Sequence, residues 1–228
     1  MPNVPPPSLV IFDCDGVLVD TEQVANQLLV EVLAEDGLQL SEAESRALFV
    51  GRSIESIIKH VEQSLGRSLR ADWATMLRDR TLRAFAERGI QAVPHVDAAL
   101  RILHEHGIAF CVASSGKLEK MRFTLGVTGL LPLLKDVLFS AEQVTHGKPA
   151  PDLFLYAAKQ MGYSAERCVV VEDSVPGVQA ARAAGMRALG YAGDQHTDAD
   201  GLAAQGADLF YDMRELPARL GLTAARAP

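Results

Sequence analysis

Two pairs of carboxylates in the sequence stand where a catalytic group could act. Asp13 and Asp15 follow the apolar run Leu9–Phe12, and Gly16 after them favours a turn. Because ligands of an open parallel sheet bind beyond the carboxyl ends of its strands, both carboxylates occupy a position suited to chemistry. The alternative is a plain turn in which the aspartates accept hydrogen bonds from nearby backbone N–H groups.

The second acidic pair follows another apolar run. Glu172 and Asp173 come directly after Cys168–Val171, and Ser174 precedes an expected helix. Burial of unpaired carboxylates is costly, and two acidic strand ends side by side would form an oxygen-rich pocket. Hard oxygen ligands suit an octahedral divalent cation, so Mg²⁺ is the expected metal. Helix capping by Asp173 or Ser174 explains the same residues and is compatible with metal binding.

Two further segments suit an anion. Ser114 and Ser115 follow the apolar run Ile108–Ala113 and precede an expected helix, whose N-terminal N–H groups could bind phosphate. A serine that only caps this helix is the alternative. Lys148 stands between Gly147 and a proline, where it could supply a fixed positive charge. A solvated loop lysine is the other explanation.

The elements that must position these residues alternate between strand and helix. Strands are predicted at Leu9–Phe12, Ile108–Ala113, Val137–Phe139, Cys168–Val171, Ala188–Tyr191 and Ala207–Phe210. Their nearly continuous apolar runs are typical of parallel strands covered on both faces. Helices are predicted at Asp97–His106, Leu118–Leu125, Pro151–Met161 and Pro176–Ala184. The pattern predicts an α/β fold with a doubly wound, mostly parallel sheet.

One segment breaks this alternation. From about Thr21 to Arg88 the apolar residues recur only with helical spacing. We therefore expect an all-helical domain at 21–89, inserted into a catalytic core that consists of 1–20 and 90–228. The two linkers, near Val17–Thr21 and near Gly89–Pro94, could form a hinge that lets the insert act as a lid.

Composition and charge restrict the expected partners. The 228 residues are 48% hydrophobic and carry a formal net charge of −7. An acidic chain without a basic run is a poor binder of nucleic acid or anionic membranes, and no apolar run approaches the roughly 20 residues of a membrane span. The proline-rich leader does not resemble a signal peptide. Cys14, Cys111 and Cys168 are expected to be reduced thiols, which predicts a cytoplasmic protein.

The four polar segments occur together in an order that resembles one known family. The matching stretches are Phe12-Asp13-Cys14-Asp15-Gly16-Val17-Leu18-Val19-Asp20-Thr21-Glu22, Ala113-Ser114-Ser115, Gly147-Lys148-Pro149-Ala150-Pro151-Asp152 and Val171-Glu172-Asp173-Ser174. In these motifs the chain resembles the haloacid dehalogenase-like hydrolase superfamily, in its phosphatase and β-phosphoglucomutase-like branch. The resemblance extends over nearly the whole chain after Ser8, and it implies a Rossmann-like core with a helical cap inserted after the first strand.

The resemblance implies roles for the acidic residues. Asp13 is the expected nucleophile, which would form an aspartyl-phosphate, and Asp15 is the expected general acid and base. Mg²⁺ is expected to be bound by the Asp13 carboxylate, the Asp15 backbone carbonyl and Asp173. Glu172 is expected to join this metal site through water or from behind its ligands.

The resemblance also implies how the phosphate is held. Ser114, Ser115 and Lys148 are the expected ligands of the phosphoryl oxygens. Substrate choice is expected to lie in the cap, where the segment around Arg52 resembles the specificity loop of the family. Arg52 either contacts the substrate or is a solvent-exposed arginine, and Lys117 is a weaker candidate for a substrate contact.

Departures from the family pattern narrow the expected activity. Dehalogenating relatives have an aromatic residue, and phosphonate-cleaving relatives a small one, where this chain has Asp15. β-Phosphoglucomutase-like relatives use a cap histidine at the position of Ala25. Many relatives have glycine where this chain has His95, which either lies on the surface, alters the hinge or reaches toward the substrate.

These observations predict a Mg²⁺-dependent phosphatase of the phosphoric monoester hydrolase class. Its expected substrate is a small phosphorylated metabolite, with a sugar phosphate or a phosphorylated sugar acid favoured. A phosphosugar mutase is the alternative, and a non-catalytic phosphate-binding protein on the same fold is a second alternative. We expect no nucleic-acid or membrane partner, and a monomer or weak homodimer.

Overall fold

The computed structural model of the protein describes residues 6–49 and 54–222, which form two compact units. One unit contains the described residues up to Asp20 and those from Gln91 onward, and the other is Thr21–Ile90. Within the described part of the chain, none of the helices has the length and apolar character needed to cross a membrane.

The first unit is built on a parallel sheet. In chain order the strands are β1 (Leu9–Phe12), β2 (Val19–Asp20), β3 (Gln91–Ala92), β4 (Ala109–Ser114), β5 (Leu138–Ser140), β6 (Cys168–Glu172), β7 (Arg187–Tyr191) and β8 (Asp208–Phe210). Six of these strands form the sheet, in the order β5-β4-β1-β6-β7-β8. Since β1 pairs in parallel with β4 on one side and with β6 on the other, the ends of these three strands are neighbours.

Helices follow most of the strands, which confirms the doubly wound α/β prediction. In chain order the helices are α1 (Glu22–Asp36), α2 (Glu42–Phe49), α3 (Ile54–Leu65), α4 (Trp73–Arg88), α5 (Val96–Glu105), α6 (Leu118–Val127), α7 (Leu131–Leu134), α8 (Asp152–Met161), α9 (Val175–Ala183), α10 (Ala199–Ala204) and α11 (Leu216–Arg219). The helices α5, α6, α8 and α9 lie where the sequence predicts them, within a few residues. The short helices α7, α10 and α11 were not predicted, because fewer than two full turns leave no readable periodicity.

The sheet is covered on both faces, as its apolar strands predict. In β1, Val10 and Phe12 pack in one buried cluster, while Leu9 and Ile11 pack in the other. All four side chains are fully buried, and each contributes roughly 1.5–3 kcal/mol of hydrophobic stabilisation. This double burial holds the carboxyl end of β1 rigidly in the middle of the sheet.

Among its described residues the second unit contains the four helices α1 to α4, joined by loops, and no strand. Trp73 is buried in the hydrophobic core of this unit together with residues of α1 and α3, and its indole Nε1–H donates to Asp36 Oδ2 at 2.7 Å. The helix α2 was not predicted, because among its residues only Ser45 and Phe49 are buried, which is too few for a periodic stripe. The role of this unit as a lid stays a prediction.

Both linkers contain short strands that the sequence did not predict. Val19 pairs with Ala92 and Asp20 with Gln91, so β2 and β3 form a two-stranded antiparallel ribbon. Such short strands carry too few residues for an alternating pattern. After the ribbon, His95 precedes α5 in the left-handed backbone conformation, with φ of 67°. Glycine adopts this conformation without steric cost, whereas a residue with a Cβ is strained in it.

Candidate active site

The loop after β1 brings the first acidic pair beside the second. The Asp13 N–H donates to the Val171 carbonyl at 3.0 Å, which continues the parallel pairing to the end of the strand. Gly16 then turns the chain with a φ of +79°, and a Cβ at this position would overlap with the Asp173 carboxylate. The structure therefore places Asp173 directly against the turn that follows Asp15, and only glycine fits there.

Lys148 is the centre of a buried ion-pair cluster. Its Nζ donates to Asp13 Oδ1 at 2.5 Å, to Glu172 Oε1 at 2.6 Å and to the Ala113 carbonyl at 3.0 Å. The Phe154 ring lies 4.9 Å from the same nitrogen, measured to its centroid. With 4% of its side chain exposed, Lys148 is not a solvated loop lysine. Four segments of the chain meet at one fixed positive charge.

Burial and pairing shift the pKa values in this cluster. Burial is the main cause that raises the pKa of the Asp13 carboxyl to about 7; the charges of Glu172 and Asp15 add to it, and Lys148 opposes it. For Lys148, burial by itself lowers the pKa, but Asp13 and Glu172 together raise it above its ordinary value. Lys148 therefore stays protonated at neutral pH, close to the Asp13 carboxyl group.

Glu172 is held on all sides inside the protein. Its side chain is fully buried, and Oε1 accepts from Lys148 while Oε2 accepts from the Asp173 N–H, the Ser174 N–H and the Ser174 hydroxyl. A Cβ on Gly177 in the first turn of α9 would overlap with this carboxylate. Glu172 thus anchors Lys148, and its part in metal binding stays a prediction.

Of the two residues that could cap α9, Asp173 and Ser174, the structure shows that Ser174 does so. Ser174 is the N-cap, and its hydroxyl oxygen accepts the Gly177 N–H at 3.2 Å. The same hydroxyl donates to Glu172, so it links the helix start to the buried carboxylate. Capping by Ser174 and a metal role for Asp173 are therefore compatible, as expected from the sequence.

The loop after β4 carries the serines that are predicted to bind phosphate, and hydrogen bonds hold it in place. Ser114 is buried and its Oγ accepts the Gly116 N–H at 3.1 Å, which leaves the hydroxyl hydrogen able to donate. The Gly116 carbonyl accepts from the buried Ser140 hydroxyl at 2.8 Å. The N-cap of α6 is Lys117, so Ser114 is not the helix cap that was the alternative explanation. Ser115 lies exposed in the same loop.

Lys120, a residue that the sequence did not single out, belongs to this site. Its Nζ donates to Asp15 Oδ2 at 2.8 Å, from the first turn of α6. Burial by itself lowers the pKa of the Lys120 amine, but Asp15 more than compensates and raises it. The sequence could have indicated Lys120 only through its position in the first turn of the helix that follows the Ser114 loop.

The two residues predicted to contact the substrate are Lys117 and Arg52. The Lys117 Nζ is 3.3 Å from Glu142 Oε1, and 58% of the lysine side chain is exposed. Its role as a substrate contact stays a prediction. Arg52 lies outside the described residues, so its role also stays a prediction.

The oxygen donors at the carboxyl ends of β1 and β6 fit Mg²⁺. Within residues 6–49 and 54–222, no three His, Cys, Asp or Glu side chains are grouped closely enough to form a metal site by themselves. The expected ligand set needs only two side-chain carboxylates, Asp13 and Asp173, together with the Asp15 carbonyl, because Mg²⁺ keeps several waters. Because the Asp173 carboxylate lies against Gly16, it is next to the peptide bond between Asp15 and Gly16, to which the Asp15 carbonyl belongs.

Comparison with known proteins identifies the family. Residues 7–185 match the family model of haloacid dehalogenase-like hydrolases. The chain is 32% identical over 187 residues to 6-phosphogluconate phosphatase of Escherichia coli K12, covering 82% of this chain and 83% of that protein. It is 33% identical over 186 residues to fructose-1-phosphate phosphatase YqaB of the same strain, covering 79% and 94%.

A solved structure agrees with these sequence matches. The structure of a haloacid dehalogenase family hydrolase from Deinococcus radiodurans, with bound phosphate and sodium, has a TM-score of 0.83 and 33% identity, covering 97% of this chain and 99% of that one. The chain belongs to the haloacid dehalogenase-like hydrolases, which confirms the resemblance in its motifs. The named relatives are phosphatases, and they favour phosphatase activity over a mutase.

Proposed function

We propose that the protein hydrolyses a small phosphorylated metabolite in a Mg²⁺-dependent reaction, with a sugar phosphate or a phosphorylated sugar acid as substrate. One observation carries the proposal: the buried Lys148 amine pairs with Asp13 at the end of the central strand, beside the Ser114 loop. The relatives named 6-phosphogluconate phosphatase and fructose-1-phosphate phosphatase support the substrate class.

In the first step Asp13 is the nucleophile. One of its carboxylate oxygens attacks phosphorus, the bond from phosphorus to the ester oxygen breaks, and its electron pair goes to that oxygen. Asp15 supplies the proton, so the products are an alcohol, an aspartyl-phosphate on Asp13 and a carboxylate at Asp15. Asp13 directly follows β1, whose four side chains are fully buried, and this rigid central strand fixes the direction of attack.

In the second step Asp15 acts as the base. Its carboxylate removes a proton from water, the water oxygen attacks phosphorus, and the bond from phosphorus to Asp13 breaks. Phosphate leaves, and both aspartates return to their starting protonation states. The same carboxylate therefore serves both steps, first as acid and then as base.

Positive charge and hydrogen-bond donors stabilise the phosphoryl group. The Lys148 ammonium and the Ser114 hydroxyl, with Ser115 beside it, bind the phosphoryl oxygens. Mg²⁺ bound by Asp13, the Asp15 carbonyl and Asp173 would supply further positive charge to the same oxygens. A chain with a net charge of −7 can in this way bind one small phosphate ester.

The two alternative functions have weaker support. A mutase of the β-phosphoglucomutase type needs a proton-carrying side chain on the first cap helix, and the methyl group of Ala25 cannot carry a proton. A non-catalytic phosphate-binding protein would not need the full set of two aspartates, a buried lysine and a second acidic pair. Hydrolysis is therefore the function that the residues support best.

Phosphate release over a panel of substrates tests the proposal. The panel contains hexose phosphates, 6-phosphogluconate and aryl phosphates, each assayed with Mg²⁺ and with EDTA. We expect Mg²⁺-dependent release by the native protein and a loss on the order of 10³-fold or more in Asp13→Asn, because the amide cannot act as the nucleophile. Asp136→Asn, at an exposed position of the same unit, is the matched control and should keep full activity.

The same assay separates the alternatives. Turnover by Asp13→Asn at the native rate would contradict the mechanism, and the absence of release from every substrate would contradict the function. Glucose 1-phosphate with a bisphosphate activator should yield phosphate without accumulation of the isomer, whereas accumulated isomer would indicate a mutase.

We also propose the cytoplasm as the compartment, which the free and buried Cys14, Cys111 and Cys168 support. A monomer or weak homodimer stays the expected oligomeric state, and size-exclusion chromatography with light scattering would measure it. Nucleic acid and membranes are not proposed as partners.

A further inference from the structure

A second lysine contacts the proposed acid and base, and the family motifs do not include it. Lys120 Nζ donates to Asp15 Oδ2 at 2.8 Å, although the two residues are 105 positions apart in the sequence. About one third of the lysine side chain and one quarter of the aspartate side chain are exposed, so the pair is only partly solvated. A partly buried pair of this kind is screened less than a surface ion pair.

The Lys120–Asp15 pair packs against Gly116 and Ser114. A Cβ added to Gly116 would lie 3.4 Å from Ser114 Oγ, 3.7 Å from Lys120 Cδ and 3.8 Å from Asp15 Oδ2. The lysine stem, the aspartate carboxylate and the Ser114 hydroxyl therefore converge on one glycine. Gly116 is itself held by Ser114 and Ser140 through its N–H and its carbonyl. The pair thus lies against the loop proposed to bind phosphate, at a fixed position.

We propose that Lys120 is a positioning residue for proton transfer by Asp15 in this reaction. The proposal rests on the proposed hydrolase function. The ammonium group holds Oδ2 at the start of α6, so the orientation of the whole planar carboxylate is set relative to the Ser114 loop. Lys120 itself gives up no proton; the proton passes between Asp15 and the leaving oxygen in the first step, and between water and Asp15 in the second.

The dependence of rate on the leaving group reports this role. Phenol, with a pKa near that of tyrosine at about 10, leaves poorly as an anion and requires a proton from Asp15. 2,4-Dinitrophenol is a much stronger acid, so it leaves without protonation. A residue that only binds phosphate, or only stabilises the fold, affects both esters equally. A residue that positions the acid affects phenyl phosphate selectively.

The experiment measures kcat/KM for phenyl phosphate and for 2,4-dinitrophenyl phosphate, since kcat/KM reports only on steps through formation of the aspartyl-phosphate. In Lys120→Met we expect roughly a 10- to 100-fold loss on phenyl phosphate and less than about a 3-fold loss on the dinitrophenyl ester. Lys120→Arg should recover most of the loss, because its guanidinium can still hold the carboxylate. Arg122→Met, an exposed charge on the same helix, is the matched control and should leave both values unchanged.

The ratio of the two kcat/KM values makes every outcome decisive. The folded fraction of a variant cancels in this ratio, so partial unfolding of Lys120→Met does not imitate the expected result. Equal losses on both esters, or no loss on either, would overturn the proposal. In an Asp15→Asn background Lys120→Met should leave the ratio unchanged, and a further selective loss there would also overturn it. If the native protein hydrolysed neither ester and no sugar phosphate of the panel above, the proposed function would fail instead.

Discussion

Replacing Gly177 with alanine should displace the Glu172 carboxylate from its buried position. The added Cβ would overlap with the carboxyl carbon and both oxygens of Glu172, whose side chain is fully buried. The carboxylate cannot swing into solvent, and it is held by donors from Lys148, Asp173 and Ser174. Relief of the overlap must therefore break some of these hydrogen bonds.

The expected cost follows from these contacts. Forcing an extra methyl group into a packed site costs about 1–3 kcal/mol, and one hydrogen bond lost from a charged group costs about 1.5–3 kcal/mol. The better helix propensity of alanine returns up to about 1 kcal/mol. The net loss is about 1.5–6 kcal/mol, which corresponds to a Tm lowered by roughly 3–24 °C for a chain of this size. We expect kcat/KM to fall as well, because Lys148 loses its anchor.

Thermal unfolding with a matched glycine measures this effect. Gly126 lies in α6, and a Cβ there would meet Leu131 Cδ2 at 3.8 Å, an ordinary van der Waals contact. Gly126→Ala should therefore leave Tm unchanged or raise it, with a gain of up to about 1 kcal/mol. If Gly177→Ala proved as stable as Gly126→Ala, Glu172 would not be the immobile anchor that its contacts indicate.

Three further predictions concern single positions. Gly16→Ala should lower the Mg²⁺-dependent kcat by about 100-fold or more, as measured by kinetics at saturating Mg²⁺. The alanine Cβ would overlap with the Asp173 carboxylate, and the φ of +79° at this position is strained for alanine. Ser140→Ala should cost about 1 kcal/mol and raise KM, since the Gly116 carbonyl loses its donor; unchanged KM and Tm would argue against bracing of this loop. His95→Gly should raise stability by up to about 1 kcal/mol by relieving a φ of 67°, and a lower Tm would contradict that.

The strands and most helices of the first unit could be predicted because their signals are local. The β1 prediction, Leu9–Phe12, agrees with the structure residue for residue. Continuous apolar runs show that a strand is covered on both faces, and helices of ten residues carry a readable stripe, as in α8. The ribbon of β2 and β3 and the helix α2 escaped prediction, because two-residue strands and a helix with two buried side chains carry no periodic pattern.

The candidate site could be predicted only as a set of strand ends. Parallel strands place their carboxyl ends at one edge, so Asp13, Ser114 and Glu172 could be expected near each other from strand assignment alone. The same rule does not tell which oxygen meets which donor. Asp173 was predicted as a metal ligand, and only the tertiary structure shows that its carboxylate lies against Gly16.

By itself the sequence determined the α/β class, the order of the motifs and the residue types available for phosphoryl transfer. Tertiary structure decided the pairings: Lys148 with Asp13 across 135 residues, and Lys120 with Asp15 across 105. It also decided that Glu172 anchors Lys148, since that assignment depends on complete burial and on donors from neighbouring elements. The physical reason is that local spacing sets strands and helices, whereas the cost of burying charge is met by partners that only folding brings together.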